Sequence, residues 1–294
     1  MTLRPLLTGL ICMGFVACAG AETENIAQTK SFTIADVEAA PNAWRIADPD
    51  NLIIMQTSKG EVILELLPDV APQHAVQFRH YVREGLYDRT PFHRVIKGFM
   101  AQGGDVAETH GADKMLPEME AEFTFRRSPA EFSISPVGPA DSAKAGLHKG
   151  FPIRTVAQFM TELSFDGKVE TWMPHCAGVL STARTGNPNS GNAQFFLITD
   201  QGRHLDKEYT AKGRVLVGLD VVQSIKLGPA NEGFPISNPD LVLSAKMVSD
   251  IPEADRPTVY VQRTDTSEWA DLLTAADKND QDICELPRAA AVVQ

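Results

Sequence analysis

Residues 92–105 read Phe92-His93-Arg94-Val95-Ile96-Lys97-Gly98-Phe99-Met100-Ala101-Gln102-Gly103-Gly104-Asp105. Phe92, Val95, Ile96 and Phe99 give the run β character, and Gly103-Gly104-Asp105 breaks it. Arg94 and Gln102 are an even number of residues apart, so in a strand without a bulge they share one face. Phe99 and Met100 add two large apolar groups beside that polar pair. By itself this run has a plain reading: an arginine in a strand is usually a solvated edge residue, and a Phe-Met pair is usually core.

Two further blocks change the weight of the first. One runs from Thr182-Ala183-Arg184 to Asn192-Ala193-Gln194-Phe195-Phe196-Leu197-Ile198-Thr199. The other runs from His204-Leu205-Asp206 to Gly213-Arg214-Val215, followed by Gly218-Leu219-Asp220-Val221-Val222. Together, in this order, the three blocks resemble the cyclophilin-type peptidyl-prolyl cis-trans isomerases over about residues 51–250. The resemblance implies a mainly β fold: a closed antiparallel eight-stranded β-barrel capped by two helices. It implies that Arg94 is the main catalytic group, assisted by Gln102. Phe99, Met100, Phe196 and Leu205 match the family's proline-ring pocket, Gln102, Ala183 and Gln194 its contacts to the substrate backbone, and His204 and Tyr209 its rim. Several positions depart from the common pattern. His204 stands where many relatives carry Trp, Tyr209 where His is common, Thr182 where Met is frequent and Lys212 where Phe is usual. A charge in a core position costs several kcal/mol, about 2–7 for even an unpaired neutral polar group, so the Lys212 ammonium is expected to reach solvent or an acidic partner.

The chemistry such a protein needs is modest. An X-Pro bond rotates over a barrier of roughly 20 kcal/mol because the amide loses conjugation as it twists. No covalent bond forms or breaks, so neither nucleophile, base, metal nor cofactor is required. The required features are a seat for the proline ring and polar groups that favour the twisted amide. The sequence agrees: it has no G-x-S-x-G, H-E-x-x-H, G-x-G-x-x-G or P-loop. Its seven histidines are scattered, none paired at i, i+4, and no C-x-x-C occurs.

The chain has 294 residues, with 38 acidic and 27 basic side chains and a formal net charge of −11. That balance, without a run of Lys or Arg, argues against a nucleic-acid partner. Residues 1–21 read as a signal peptide, with Arg4 before the apolar stretch 6–19 and small residues at the candidate cleavage sites. A second reading is a lipoprotein signal with a lipid anchor at Cys18. Either way the mature protein is expected to be exported, with the periplasm as its compartment. No other stretch is long and apolar enough to span a membrane. Cys176 and Cys284 form a disulfide in an oxidising compartment or remain two buried thiols, and sequence does not choose between them.

After the signal, residues 22–50 read as an N-terminal linker, 51–250 as the isomerase domain and 251–294 as a C-terminal extension. Within 51–67, alternation about Ser58-Lys59-Gly60 predicts two strands joined by a tight turn. Helices are predicted over 72–84 and 219–227, and strands over 178–181, 194–199, 215–217 and 241–247. Residues 106–174 are too long for an ordinary loop; an insertion of about 124–174 is expected on the groove side, with a helix over 153–163. The extension predicts a strand at 258–261 and a helix at 267–276. It is either a clasp packed on the barrel or a docking element for an envelope partner. Two functions follow. One is an isomerase acting on proline-containing segments of unfolded or partly folded exported clients. The other is a non-catalytic module that grips such segments.

Overall fold

A computed structural model describes residues 31–230 and 232–294. The signal, Cys18 and the first part of the linker lie outside the described residues. The alternation in 51–67 folds as expected: strand Leu52–Thr57 turns at Ser58-Lys59 into strand Gly60–Leu66, with Ile54 opposite Ile63 and Thr57 opposite Gly60. These two belong to an eight-stranded antiparallel sheet. Its order is Val242–Met247, Leu52–Thr57, Gly60–Leu66, Ala211–Val217, Val179–Thr182, Phe195–Ile198, Met100–Gly103 and Arg94–Ile96. Helix Pro72–Arg83 begins with Pro at its first position, where a missing N–H costs nothing, and buries Ala75, Phe78, Tyr81 and Val82. The second helix, Leu219–Gln223, is shorter than the sequence predicts.

The sheet is a curled half-barrel rather than the closed barrel expected. Its outermost strands share no ladder; the bridge from Pro91 to Leu241, with bonds from Phe92 N–H to the Asp240 carbonyl and from Val242 N–H to the Thr90 carbonyl, joins only the segments that lead into them. Proline cannot donate to a ladder, and the outer edge of Arg94–Ile96 is already taken. Val95 N–H donates to the Gly233 carbonyl at 2.9 Å, and Gly228 N–H donates to the Val95 carbonyl at 3.0 Å.

Both faces of this sheet are buried. One face holds Ile53, Met55, Val62, Leu64, Phe195 and Leu197 with the helix residues Phe78 and Tyr81. The other holds Leu52, Ile63, Met100, Phe196 and Ile198 in one cluster with Phe132, Phe151, Ile153, Trp269 and Leu273. The second face exists because the insertion and the extension cover it. Two buried faces remove the polar half of the strand alternation, and Ala211–Val217 is accordingly buried at six successive residues.

The insertion forms its own five-stranded sheet, ordered Phe125–Arg127, Val169–Trp172, Phe151–Thr155, Ala145–His148 and Ser135–Pro136. The helix expected over 153–163 is therefore a misreading. Phe151, Ile153 and Thr155 alternate inward from a strand paired on both edges, and only a 3₁₀ helix, Gln158–Leu163, follows. Phe159 and Leu163 of that 3₁₀ helix are exposed. The extension places strand Val259–Gln262 between Trp44–Ile46 and Ala291–Val293, so part of the expected linker is a strand partner of the C-terminus. Helix Ser267–Lys278 buries Trp269, Leu273 and Ala276. Its apolar face is covered within the chain, as a clasp requires.

Cys176 and Cys284 are joined in a disulfide across 108 residues of sequence. Closing a loop of that length restricts the unfolded chain, an effect worth about 2–4 kcal/mol. Reduction, or Cys284→Ser, is expected to lower the melting temperature by about 5–15 °C. Scanning calorimetry with and without reductant checks this, and an unchanged transition would show that the bridge adds nothing to stability.

Candidate active site

The quoted run is a hairpin, not one strand. Arg94–Ile96 pairs with Met100–Gly103, placing Arg94 opposite Gln102 and Ile96 opposite Met100. Gly98 at the turn has φ +66°, a left-handed conformation that glycine adopts without strain. Arg94 and Gln102 therefore share a face through cross-strand pairing rather than through spacing along one strand. The next strand extends the row, because Gln102 faces Phe196 and Met100 faces Ile198. Gly104 closes the run at φ +77°, where a Cβ would lie 2.7 Å from the Phe195 ring.

An open groove with a cavity of about 450 Å³ lies over this row. It is lined by Arg94, Phe99, Met100, Gln102, Ala183, Phe196, His204, Leu205 and Tyr209, nine of the ten site residues expected from sequence. Gln194, the tenth, stands behind Gln102. The polar side is a hydrogen-bonded chain. Arg94 Nε donates to the Glu232 carbonyl at 3.0 Å, and Arg94 Nη1 donates to Gln102 Oε1 at 3.3 Å. Gln102 Nε2 donates to Gln194 Oε1 at 2.9 Å, and Gln194 Nε2 donates to Asp105 Oδ2 at 2.8 Å. The Asp105 carboxylate, which only accepts, thereby orients both amides. Among the described residues Arg94 Nη2 has no partner, leaving a donor for a ligand in the groove.

The apolar side is made of Phe99, Met100, Phe196 and Leu205. Met100 and Phe196 are buried, while Phe99 is half-buried and rests 5.0 Å from the exposed His204 ring. Tyr209 meets Phe196 edge to face at 5.6 Å. Leu205 and His204 sit in a 3₁₀ turn, Arg203–Leu205, held by Asp206. That carboxylate accepts from His175 N–H at 2.8 Å and Arg203 Nε at 2.8 Å. Burial pushes the Asp206 pKa up, but the hydrogen bonds from His175 and Arg203 outweigh it and hold the group below its ordinary value. Burial also lowers the pKa of His175.

Two lining residues escaped the sequence reading, Arg184 and Glu208. Arg184 Nε donates to the Glu208 carbonyl at 2.9 Å, and the guanidinium lies 4.4 Å from the Tyr209 ring centroid. Their only signal was position, one residue from Ala183 and one from Tyr209. No residue of 124–174 lines the groove. The insertion instead props the rim from outside, where Glu170 pairs with Lys207 and Trp172 lies under the Lys207 ammonium at 4.1 Å.

Lys212 corrects the expectation made for it. It is 1 % exposed, and its Nζ reaches neither solvent nor an acid. It donates to Thr182 Oγ1 at 2.8 Å and lies 4.4 Å from the centroid of the Phe78 ring. Burial pushes its pKa down to about 7.

Residues 52–247 match the model of the cyclophilin type peptidyl-prolyl cis-trans isomerase/CLD family. A Brucella suis protein named "Probable peptidyl-prolyl cis-trans isomerase" is 36% identical over 204 residues, covering 69% of this chain and 86% of that protein. Peptidyl-prolyl cis-trans isomerase cypE of Dictyostelium discoideum is 29% identical, over 64% of this chain and 92% of its own. The crystal structure of cyclophilin AquaCyp293 from Hirschia baltica superposes with a TM-score of 0.82 at 46% identity, over 90% of this chain and 98% of that one. That overlap is longer than 52–247, so it takes in part of what surrounds the isomerase domain. The chain belongs to the cyclophilin-type peptidyl-prolyl cis-trans isomerases and is an isomerase of that family.

Proposed function

We propose that this chain accelerates rotation about X-Pro bonds in unfolded or partly folded exported proteins, with Arg94 as the group that favours the twisted amide. The observation that carries the reading is the position of the Arg94 guanidinium, pinned by Glu232 and Gln102 above the apolar groove residues. As the amide twists, conjugation is lost and the lone pair localises on the prolyl nitrogen. A fixed donor aimed there stabilises the transition state more than either planar isomer. One such donor supplies about 3 kcal/mol, or about two decades of rate. Burial of the proline ring against Phe99, Met100, Phe196 and Leu205 and fixation of the backbone by Gln102, Gln194 and Ala183 supply the rest. His204 and Tyr209 border the groove.

Export is supported by the pattern of residues 1–21 and by the Cys176–Cys284 bridge, since disulfides persist outside the reducing cytosol. Lipidation at Cys18 is the alternative fate of the same signal. Mass analysis of the mature N-terminus separates them, giving either a free terminus near Ala21 or acylated Cys18. A protease-coupled proline-isomerisation assay on the full chain tests the activity. Rates well above the uncatalysed reaction are expected, and folded protein at background rate would remove the proposal. The purely binding reading rested on Lys212 and the insertion; Lys212 is buried behind Thr182 and the insertion stays outside the groove, so neither favours it.

A further inference from the structure

The connection between strands Phe195–Ile198 and Ala211–Val217 carries three groove residues, His204, Leu205 and Tyr209. Its regular structure is the 3₁₀ turn Arg203–Leu205, and turns of that kind have poorer hydrogen-bond geometry than an α-helix. Where the turn sits therefore depends on side-chain anchors, and one of them comes from the C-terminal extension. The Arg203 guanidinium is spread between two carboxylates. Its Nε donates to Asp206 Oδ2 at 2.8 Å, and its Nη1 donates to Asp282 Oδ2. Asp206 belongs to the same connection, whereas Asp282 lies 79 residues further along the chain. Asp282 Oδ2 also accepts from Arg154 Nη2 of the insertion at 2.7 Å, and its Oδ1 accepts from Cys284 N–H at 2.9 Å. One carboxylate thus joins the extension and the insertion to the rim of the groove. Asp282 lies outside residues 52–247, the part of the chain that matches the family.

A second link fixes Asp282 against the same turn. Cys284, two residues on, is bridged to Cys176, and Cys176 follows His175. His175 is fully buried; its N–H donates to Asp206, and its carbonyl accepts from Gly202 N–H at 2.8 Å. Its ring stacks on Phe196 of the proline seat, with centroids 6.0 Å apart and planes 17° apart. The turn is closely packed here, since a Cβ on Gly202 would lie 3.3 Å from the Phe99 ring and 3.4 Å from the His175 Cβ. We propose that Asp282 is a positioning residue of the proline seat. Through Arg203 it holds the Arg203–Leu205 turn, and with it Leu205 and His204, against Phe99 and Phe196. This rests on the reading of the groove as the site that seats proline. Asp282 keeps the seat preformed, so its loss weakens substrate and transition state alike and is read in KM rather than in kcat.

The test uses the full chain with its disulfide intact and an Ala-Pro peptide. Asp282→Asn keeps an oxygen for the Cys284 N–H but turns an amide toward the two guanidiniums. Its KM and its calorimetric Kd are expected to rise about three- to tenfold while kcat stays within about twofold of wild type. Arg203→Lys keeps the charge without the fork; it is expected to raise both constants likewise, and it stands in if Asp282→Asn fails to fold. The double variant is expected to go no further than Arg203→Lys, because the two residues act through one contact. Val292→Ala, in the buried cluster around Trp44 elsewhere in the extension, is expected to lower the melting temperature and leave Kd unchanged. Unchanged KM and Kd in Asp282→Asn, or an equal rise in Val292→Ala, would overturn the proposal. Wild-type protein that binds the peptide without turning it over would remove the isomerase reading alone, and the affinities would still decide the role of Asp282.

Discussion

Arg94→Ala is expected to lower kcat/KM for X-Pro isomerisation by about two to three decades while leaving peptide affinity within a few-fold of wild type. The guanidinium is held at two points, the Glu232 carbonyl and Gln102 Oε1, which leaves Nη2 available to the groove. Alanine removes that donor and frees the end of the chain through Gln102, Gln194 and Asp105. A donor used mainly in the transition state is worth about 3–4 kcal/mol, and loss of amide order adds to this. Affinity should survive because the proline seat belongs to other side chains, Phe99, Met100, Phe196 and Leu205. Arg94→Lys should recover little, since an ammonium cannot make the same forked contacts. The protease-coupled assay supplies the rates and calorimetric peptide titration the affinity. Turnover unaffected by Arg94→Ala would take this residue out of the mechanism.

Lys212→Met is expected to stabilise the protein at pH 7 by about 2–4 kcal/mol. The ammonium is enclosed with a hydroxyl and an aromatic face as its contacts, and among the described residues it pairs with no carboxylate. Burial lowers the folded-state pKa to about 7 from an ordinary value of 10.5. The unfolded chain therefore holds the proton more tightly. Between pH 7 and 10.5 the unfolded state binds more protons, so this group makes stability rise with pH across that window. Its penalty is largest below the folded pKa and disappears above the unfolded one. The full shift corresponds to about 5 kcal/mol, and the hydrogen bond lost on substitution brings the net gain below that. Denaturant titrations of both proteins from pH 6 to 10 should show a gap that narrows as pH rises. A less stable variant, or a gap that ignores pH, would contradict this account of Lys212.

The strands of the isomerase domain were legible because alternation and glycine positions act locally. The hairpin at 52–66 is recoverable from its own residues, and helix 72–83 from its leading proline and apolar spacing. What escaped depends on partners remote in sequence. Residues 153–163 read as a helix until strands on both sides of Phe151–Thr155 claim its edges. Trp44–Ile46 is too short to read as a strand until Val259–Gln262 arrives from the other end of the chain. Barrel closure failed for a similar reason, since Gly228 and Gly233 occupy the edge that closure needs. At the site, resemblance brought nine of ten expected residues to one groove, with Gln194 one contact behind. Arg184 and Glu208 were missed because their roles as lining residues come from the path of the rim rather than from a motif. Lys212 was misjudged because sequence shows a cation but not the hydroxyl that accepts from it.

The central claim is that the groove turns proline over rather than merely holding it. Exchange NMR of an Ala-Pro peptide with a catalytic amount of the full chain reads both processes at once. The account predicts strong cis–trans exchange peaks with the native protein, together with shifts at Phe99, Met100 and Phe196. With Arg94→Ala the same shifts should persist while the exchange peaks largely fade. Native protein that shifts these residues yet leaves the peptide exchanging at its uncatalysed rate would contradict it, and would make the groove a holder of proline segments.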